Sequence, residues 1–360
     1  MKRVRLFSTL DQYIGQAVML GTVFVITLLF LLFSFIGFVD GLKFVGKANF
    51  GLWELVQFVL LSQPKSLYLL MPAAALVGST VGLSYLAANS ELIAMRAAGV
   101  SIWRVGGAVL KTGMIFVIGG MLIGEYLVPV TEEMAQQGRA ESLEVGFSKK
   151  KYTGLWLRQD HEFINVREVL PDKSLLRINI FRFDKDMQLQ AHTEAERAYF
   201  DNGNWVLNKV LHSDIDKDRV RAHKYDDRTW QTGLTPDVLT VFTVKPESLS
   251  LLQLRRYITH LKQNFQQTNE YELAFWRKLF SPLAMAVMLL LAIPFVFSPL
   301  RAANMGSRIF VGILIALAFY MVNLSFGSFA LIRDWPPLMG AAAPPLVFLL
   351  LAAILFRRAA

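Results

Sequence analysis

Residues Tyr13–Val39 read YIGQAVMLGTVFVITLLFLLFSFIGFV, 27 positions without an Asp, Glu, Lys or Arg. A helix needs about 20 residues to cross a bilayer core of about 30 Å, so this run is long enough to span one. It is too long for a secretory signal peptide and lacks the small-residue cleavage site of one. Five further stretches have the same character: Ser66–Ser90, Thr112–Val130, Leu279–Leu300, Ile309–Ile332 and Trp335–Phe356. Of these only Thr112–Val130 carries a charge, Glu125, close to its end. A charge at the centre of a span costs about 2.5–3.5 kcal/mol on insertion scales. Six spans nearly free of charge therefore read as a membrane protein.

The composition agrees. The chain of 360 residues is 54% hydrophobic and 18% charged, with a mean hydropathy of +0.41; soluble domains hold about 25% charged residues. An ordinary soluble enzyme, a disordered chain and a collagen-like chain are excluded. Cysteine is absent, which removes disulfides, thiolate metal sites and a cysteine nucleophile. Charge is unevenly spread: residues 131–278 hold 23 Lys and Arg against 22 Asp and Glu, and the other 212 residues hold 14 against 6. The soluble insert is thus balanced, and the positive excess flanks the spans. One set of flanks carries Lys2, Arg3, Arg5, Arg96, Arg104, Lys111, Arg301, Arg308, Arg357 and Arg358; the other carries Lys43, Lys47, Lys65 and Arg333. This bias predicts cytoplasmic termini and an outward-facing insert.

The expected organisation is three spans over 1–130 with a cytoplasmic helix at about 89–99, and an outward domain over 131–250. A connecting helix over 251–278 and three spans over 279–360 complete it. Within the insert, short alternating runs are broken by turns. Gly154–Val169 holds two runs around Gln159–Glu162, Leu176–Phe183 alternates, and Ala198–Leu211 folds back at Asp201-Asn202-Gly203-Asn204, a hairpin signal. Val238–Val244 is β-rich and stops at Pro246. Six or more strands so spaced predict an antiparallel sandwich or jelly roll. Leu251, Leu254, Ile258, Leu261 and Phe265 then recur at helical spacing, an amphipathic helix that packs beneath the β-domain. Gly78–Gly82 and Gly120–Gly124 fit small-xxx-small helix contacts; the alternative is scattered glycine in apolar helices.

Catalytic chemistry finds little support. The five histidines, His161, His192, His212, His223 and His260, lie in the insert and its connecting helix without metal-ligand spacing, and no G-x-S-x-G occurs. Gly41-Leu-Lys-Phe-Val-Gly46-Lys47-Ala48 resembles a phosphate loop, but it has Ala48 where the magnesium-binding hydroxyl belongs and follows a span, not a strand. Ion-coupled carriers keep ionisable groups within their spans, and Glu125 stands nearly alone. Energy for transport would then come from a partner. Asn89–Gly99 reads as a short cytoplasmic helix, with Ser90 to cap it, Glu91 on its positive end and Gly99 to end it. Leu92, Met95 and Ala98 form a small apolar face, and Ser101 caps the next span. Such a helix suits docking to an ATPase; on spacing alone, Glu91 serves equally as a helix-dipole partner.

Four segments carry a resemblance: Leu10-Asp-Gln-Tyr-Ile-Gly15, Ser90-Glu-Leu-Ile-Ala-Met-Arg-Ala-Ala-Gly99, Trp230-Gln-Thr-Gly-Leu-Thr-Pro-Asp237 and Pro299-Leu-Arg-Ala-Ala-Asn-Met-Gly-Ser-Arg308. With them the chain resembles, over nearly its whole length, the LptF/LptG permeases of lipopolysaccharide export, on the LptG side of that family. The resemblance implies an α-helical membrane protein with six spans and an inserted periplasmic β-jelly roll. It implies pairing with an LptF-like subunit, a cytoplasmic LptB-like ATPase dimer that holds the ATP and magnesium, and LptC-like and LptA-like bridge proteins. No cofactor in this chain and no nucleic acid are implied. The substrate would be lipopolysaccharide, extracted from the outer leaflet of the inner membrane of a Gram-negative cell.

Carried over, Glu91 matches the glutamate of the coupling helix, with Leu92, Met95 and Arg96 beside it. Lys43, Lys65 and Arg139 match basic residues that face the lipid headgroup. The pattern departs at Gly37, Phe44 and Gln136, where the family carries further basic residues, and Lys47 would stand in for part of that ring. The alternatives to a permease are an envelope scaffold whose β-domain binds a protein, and an ion-coupled carrier.

Overall fold

The computed structural model describes residues 9–143, 155–170 except 160, 174–201 except 185 and 187, 203–216, 219–230, 232, 245–263, 266–297 and 304–359. Val238–Val244 lies outside them. The helices are α1 (Thr9–Gly41), α2 (Leu52–Ala88), α3 (Glu91–Ala97), α4 (Ile102–Leu122), α5 (Val128–Ser142), α6 (Leu251–Gln263), α7 (Asn269–Phe297), α8 (Met305–Ile332) and α9 (Pro337–Ala359). A π-turn at Ile123–Leu127 joins α4 to α5. Six helices or helix runs are long and apolar enough to cross a membrane, as the hydropathy predicts.

The helices outrun their apolar stretches. α2 begins at Leu52, where the Glu54 carboxylate accepts the Gly51 N–H at 2.9 Å, and not at Ser66. α4 begins at Ile102, where Ser101 Oγ accepts the Arg104 N–H at 3.3 Å. Hydropathy marks the part of a helix that sits in hydrocarbon, whereas backbone hydrogen bonds and caps set its ends. α2 and α7 form the buried centre of the bundle, joined through Leu76, Val287, Met288 and Leu291. α1 and α8 lie outside, exposing Phe24, Leu31 and Phe35, and Phe310, Leu317 and Leu324. Large exposed apolar faces of this kind suit lipid contact.

α1 meets α2 backbone to backbone. A methyl at Gly78 would strike the Thr22 backbone, one at Gly82 the Ala17 carbonyl and the Val18 Cα, and one at Gly21 the Gly78 carbonyl. The glycine pair Gly78–Gly82 is therefore a close helix contact. Gly120 and Gly124 also face partners, Met285 and the Tyr68 ring, which are side chains and not backbone.

The insert is one antiparallel sheet of six strands: β1 (Leu155–Gln159), β2 (Glu162–Val169), β3 (Leu175–Phe183), β4 (Leu189–Asp201), β5 (Asn204–Asp216) and β6 (Arg219–Trp230). Their order is sequential, and the β4–β5 turn opposes Asp201 and Asn204, as the hairpin signal predicts. One face buries Ile164, Ile178, Ala195, Trp205 and Leu207. The Thr232 hydroxyl donates to Gln159 Oε1, so the chain leaving β6 returns to β1. The expectation of an antiparallel β-insert is met at that level. The described strands form a meander in place of the crossovers of a jelly roll, because each short turn delivers a strand to its immediate neighbour.

Gly78→Val should cost about 1–3 kcal/mol through overpacking against backbone that has no rotamer to yield. A lowered unfolding midpoint in detergent checks this. Gly107→Ala, where the methyl meets nothing within 4 Å, should hold or raise it.

Candidate functional site

Three clusters of polar groups stand out against the apolar bundle. The first lies where α1, α3 and α4 begin. Asp11 is 1% exposed, yet Lys111 Nζ approaches Oδ2 at 2.8 Å and Arg104 Nη2 approaches Oδ1 at 3.0 Å. Two residues along α1, the Tyr13 hydroxyl donates to Glu91 Oε2 at 2.7 Å. Glu91 thus sits at the surface of α3, tied to α1. Two local expectations fail. Ser90 adopts the left-handed region (φ 63°) and makes no side-chain cap, since that backbone turns its hydroxyl from the helix N–H groups. Leu92 and Met95 pack into the bundle core with Leu86 and Val105, so that apolar face anchors α3 and leaves Ile93 exposed. Gly99 ends the helix at φ 86°, as its position requires. Arg96 is exposed and stacks over Phe297 at 5.7 Å.

The second cluster caps the opposite end of α1. Lys43 Nζ and Lys47 Nζ lie 5.5 and 5.3 Å from the Phe44 ring, and the Arg139 guanidinium lies 4.2 Å from it and 5.0 Å from Phe58. Phe44, which departs from the family pattern, is therefore the floor on which three cations gather by cation–π attraction. Lys65 is not among them. It lies 13 residues into α2, about 20 Å from its start, and binds Glu132 at 3.1 Å, which also accepts from Gln136 Nε2. Gln136 thus supports the Lys65 pair. Gly37 faces Val59.

The third cluster was not legible in the sequence. Lys278 on α7 is 7% exposed in its side chain and reaches Glu125 at 3.3 Å, Gly124 O at 2.5 Å and Leu249 O at 2.7 Å. Both Glu125 oxygens accept the Leu251 N–H, at 3.1 and 3.0 Å. The π-turn aims Glu125 at the start of α6, where a carboxylate suits the helix dipole. α6 buries Leu254, Tyr257 and Leu261 against Tyr271, Ala274 and Phe275 of α7, so among the described residues its apolar face packs on the bundle and not, as expected, beneath the β-domain. The one signal in the sequence was a charged Glu125 in an otherwise uncharged span.

Residues 12–358 match the profile of the lipopolysaccharide export system permease LptF/LptG. The chain belongs to the LptF/LptG family. Among its relatives is the lipopolysaccharide export system permease protein LptG of Haemophilus influenzae, 38% identical over 350 residues, covering 96% of this chain and 97% of that protein. The protein of the same name from Escherichia coli K12 is 35% identical over 355 residues, covering 98% of this chain and 99% of that one. As a family member with six apolar helices, the chain is a multi-pass inner-membrane permease. The family segments Leu10–Gly15 and Ser90–Gly99 are 78 residues apart in sequence at Tyr13 and Glu91, yet meet in space.

Lys278→Met should destabilise the protein by about 3–5 kcal/mol, because it strands a carboxylate and two carbonyls. Glu125→Gln should cost less. In a double-mutant cycle on unfolding midpoints, the pair should show non-additive coupling; additive losses would separate Glu125 from Lys278.

Proposed function

We propose that the chain is the LptG-type permease subunit of a lipopolysaccharide exporter, paired with an LptF-like subunit and driven by an LptB-like ATPase in the cytoplasm. In this reading both termini are cytoplasmic, the sheet domain stands in the periplasm, and LptC-like and LptA-like proteins take the lipid onward. Catalytic groups, ATP and magnesium belong to the partner. The division at about 130 and 250 separates first spans, insert and connecting helix, and the last spans follow from α7 on.

The observation that carries the proposal is the seat of α3. A seven-residue helix between two spans presents Glu91 and Arg96 at the surface, holds Leu92 in the core, and is tied through Tyr13 to α1. A push on α3 is delivered to the feet of α1 and α4 together, which is what a subunit without its own nucleotide site requires. At the other end, Lys43, Lys47 and Arg139 offer a cationic face for the phosphates of a lipid headgroup by charge-assisted hydrogen bonds. Lys65, neutralised by Glu132, contributes there only if that pair opens.

Glu91→Ala should uncouple ATP hydrolysis from export while the protein still inserts; stranding a cation on the ATPase costs on the order of 2–5 kcal/mol. Glu91→Gln should behave similarly, and Tyr13→Phe more mildly. Normal export in both Glu91 variants would reduce the residue to a helix-dipole partner worth about 0.3–1 kcal/mol.

Lys43→Asp and Arg139→Asp should each sharply reduce photocrosslinking of lipopolysaccharide to α1 at unchanged protein abundance. Arg333→Asp is the control at another helix end. Equal losses at all three positions would mean unspecific snorkelling to anionic lipid and would sink the headgroup site.

A further inference from the structure

A cavity of about 360 Å³ lies among α2, α7, α8 and α9, and the transport reading assigns it no role. Its polar wall includes Lys65, Lys245, Glu247, Arg277, Lys278 and Asn323, and its apolar wall includes Leu69, Phe280, Phe319 and Leu324. Two of its cations are already answered: Lys65 by Glu132 and Lys278 by Glu125. Arg277 is not. Among the described residues it forms no salt bridge; its Nη2 donates to the Asn323 carbonyl at 2.7 Å, and its Nε is buried without an acceptor. A methyl at Gly327 would run into the guanidinium, so that small residue keeps open the space Arg277 occupies. Lys245, exposed at the rim, likewise has no salt bridge among the described residues. Among the described residues of the wall Glu247 is the one acid, and its charge acts on Arg277 without forming an ion pair with it.

A cation held in an apolar bundle without a direct ion pair is costly unless an anion reaches it. The rim shows what kind of anion. Leu69, Tyr320 and Leu324 are exposed at the cavity's edge and merge with the apolar outer surface of the bundle. A ligand there meets cations at its head and hydrocarbon along its tail. At about 360 Å³ the volume falls at the low end of small-ligand sites. It takes a phosphate with a glycerol, and not a phosphorylated disaccharide carrying core sugars.

We propose that this cavity is a phospholipid site, in which Arg277 and Lys245 hold the phosphodiester and the acyl chains lie against Leu69, Tyr320 and Leu324. It is separate from the cationic face around Phe44 and holds a resident bilayer lipid in the permease.

Native mass spectrometry of the full-length protein in neutral detergent tests this, with phosphatidylglycerol, inorganic phosphate and lipopolysaccharide added separately. One phosphatidylglycerol should be retained per chain. Its affinity should fall about tenfold or more in Arg277→Gln, as loss of a charge-assisted contact requires, and several-fold in Lys245→Gln, with no change in Arg333→Gln. Retention that is unchanged in Arg277→Gln overturns the proposal. If Arg277→Gln does not accumulate, Lys245→Gln decides, and undiminished retention there overturns it. Displacement of the lipid by millimolar phosphate would make this a bare anion site. Displacement by lipopolysaccharide would make it part of the transport path. Either result overturns the phospholipid assignment.

Discussion

A carboxylate inside an apolar bundle is costly unless cations reach it, and Asp11 is reached by two. Lys111 and Arg104 come from the same helix, one on each side of the carboxylate, and fix the rotation and height of α1 against α4. Removing both would leave a buried carboxylate that the surroundings do not solvate. The rest of the geometry at this end of the bundle follows from this contact. With α1 held, Tyr13 stands where its hydroxyl meets Glu91. With α4 held, the short turn after Gly99 has one place to bring α3, and Leu92 drops between the two helices.

The other end of the bundle obeys the same rule with different partners. Lys278 answers Glu125, and the spare hydrogen-bonding capacity of both is taken up by backbone groups: the Gly124 and Leu249 carbonyls and the Leu251 N–H. This satisfies irregular backbone where it enters the bundle, which a membrane requires. It also means that the chain returning from the sheet domain is tied to two spans before α6 begins. Arg277, next in sequence to Lys278, forms no ion pair among the described residues: Glu247 acts on it only at a distance, and its buried Nε finds no acceptor.

Much of this was legible from residue types alone. Uncharged runs locate the spans, turn residues locate the strands, and the Gly78–Gly82 spacing locates a helix contact, because each is a local property. What was not legible is non-local. Asp11 and Lys111 are 100 positions apart, and Lys278 and Gly124 are 154 apart; no pattern within one span reveals that their side chains meet. Lys65 shows the cost. Read along the chain it is one more juxtamembrane cation, but in space Glu132 neutralises it and Phe44 gathers the other three without it. Ser90 fails for a different reason: its residue type favours capping, but the tight turn from α2 into α3 imposes positive φ, and the backbone overrides the side chain.

The three clusters are mechanically connected. α4 carries Arg104 and Lys111 near its start and runs, through the π-turn, directly to Glu125. Arg104 and Glu125 are 21 positions apart, about 30 Å at helical rise, close to the thickness of a bilayer core. A π-turn is a point where a helix accommodates a change in twist without breaking. α4 therefore joins a cluster that touches α3 to one that holds the start of α6. Under the proposed function, a displacement of α3 is felt at Asp11, and α4 is the covalent path from there to the Glu125–Lys278 clamp. α1 provides the parallel path, from Tyr13 to the cations around Phe44. Because Asp11 binds both rods at one end and the glycine contact presses α1 on α2 along its length, the two paths move as a unit. Under the proposed function, the ion pair at the foot is thus what lets a force on one short helix reach both the cations around Phe44 and the root of the sheet domain.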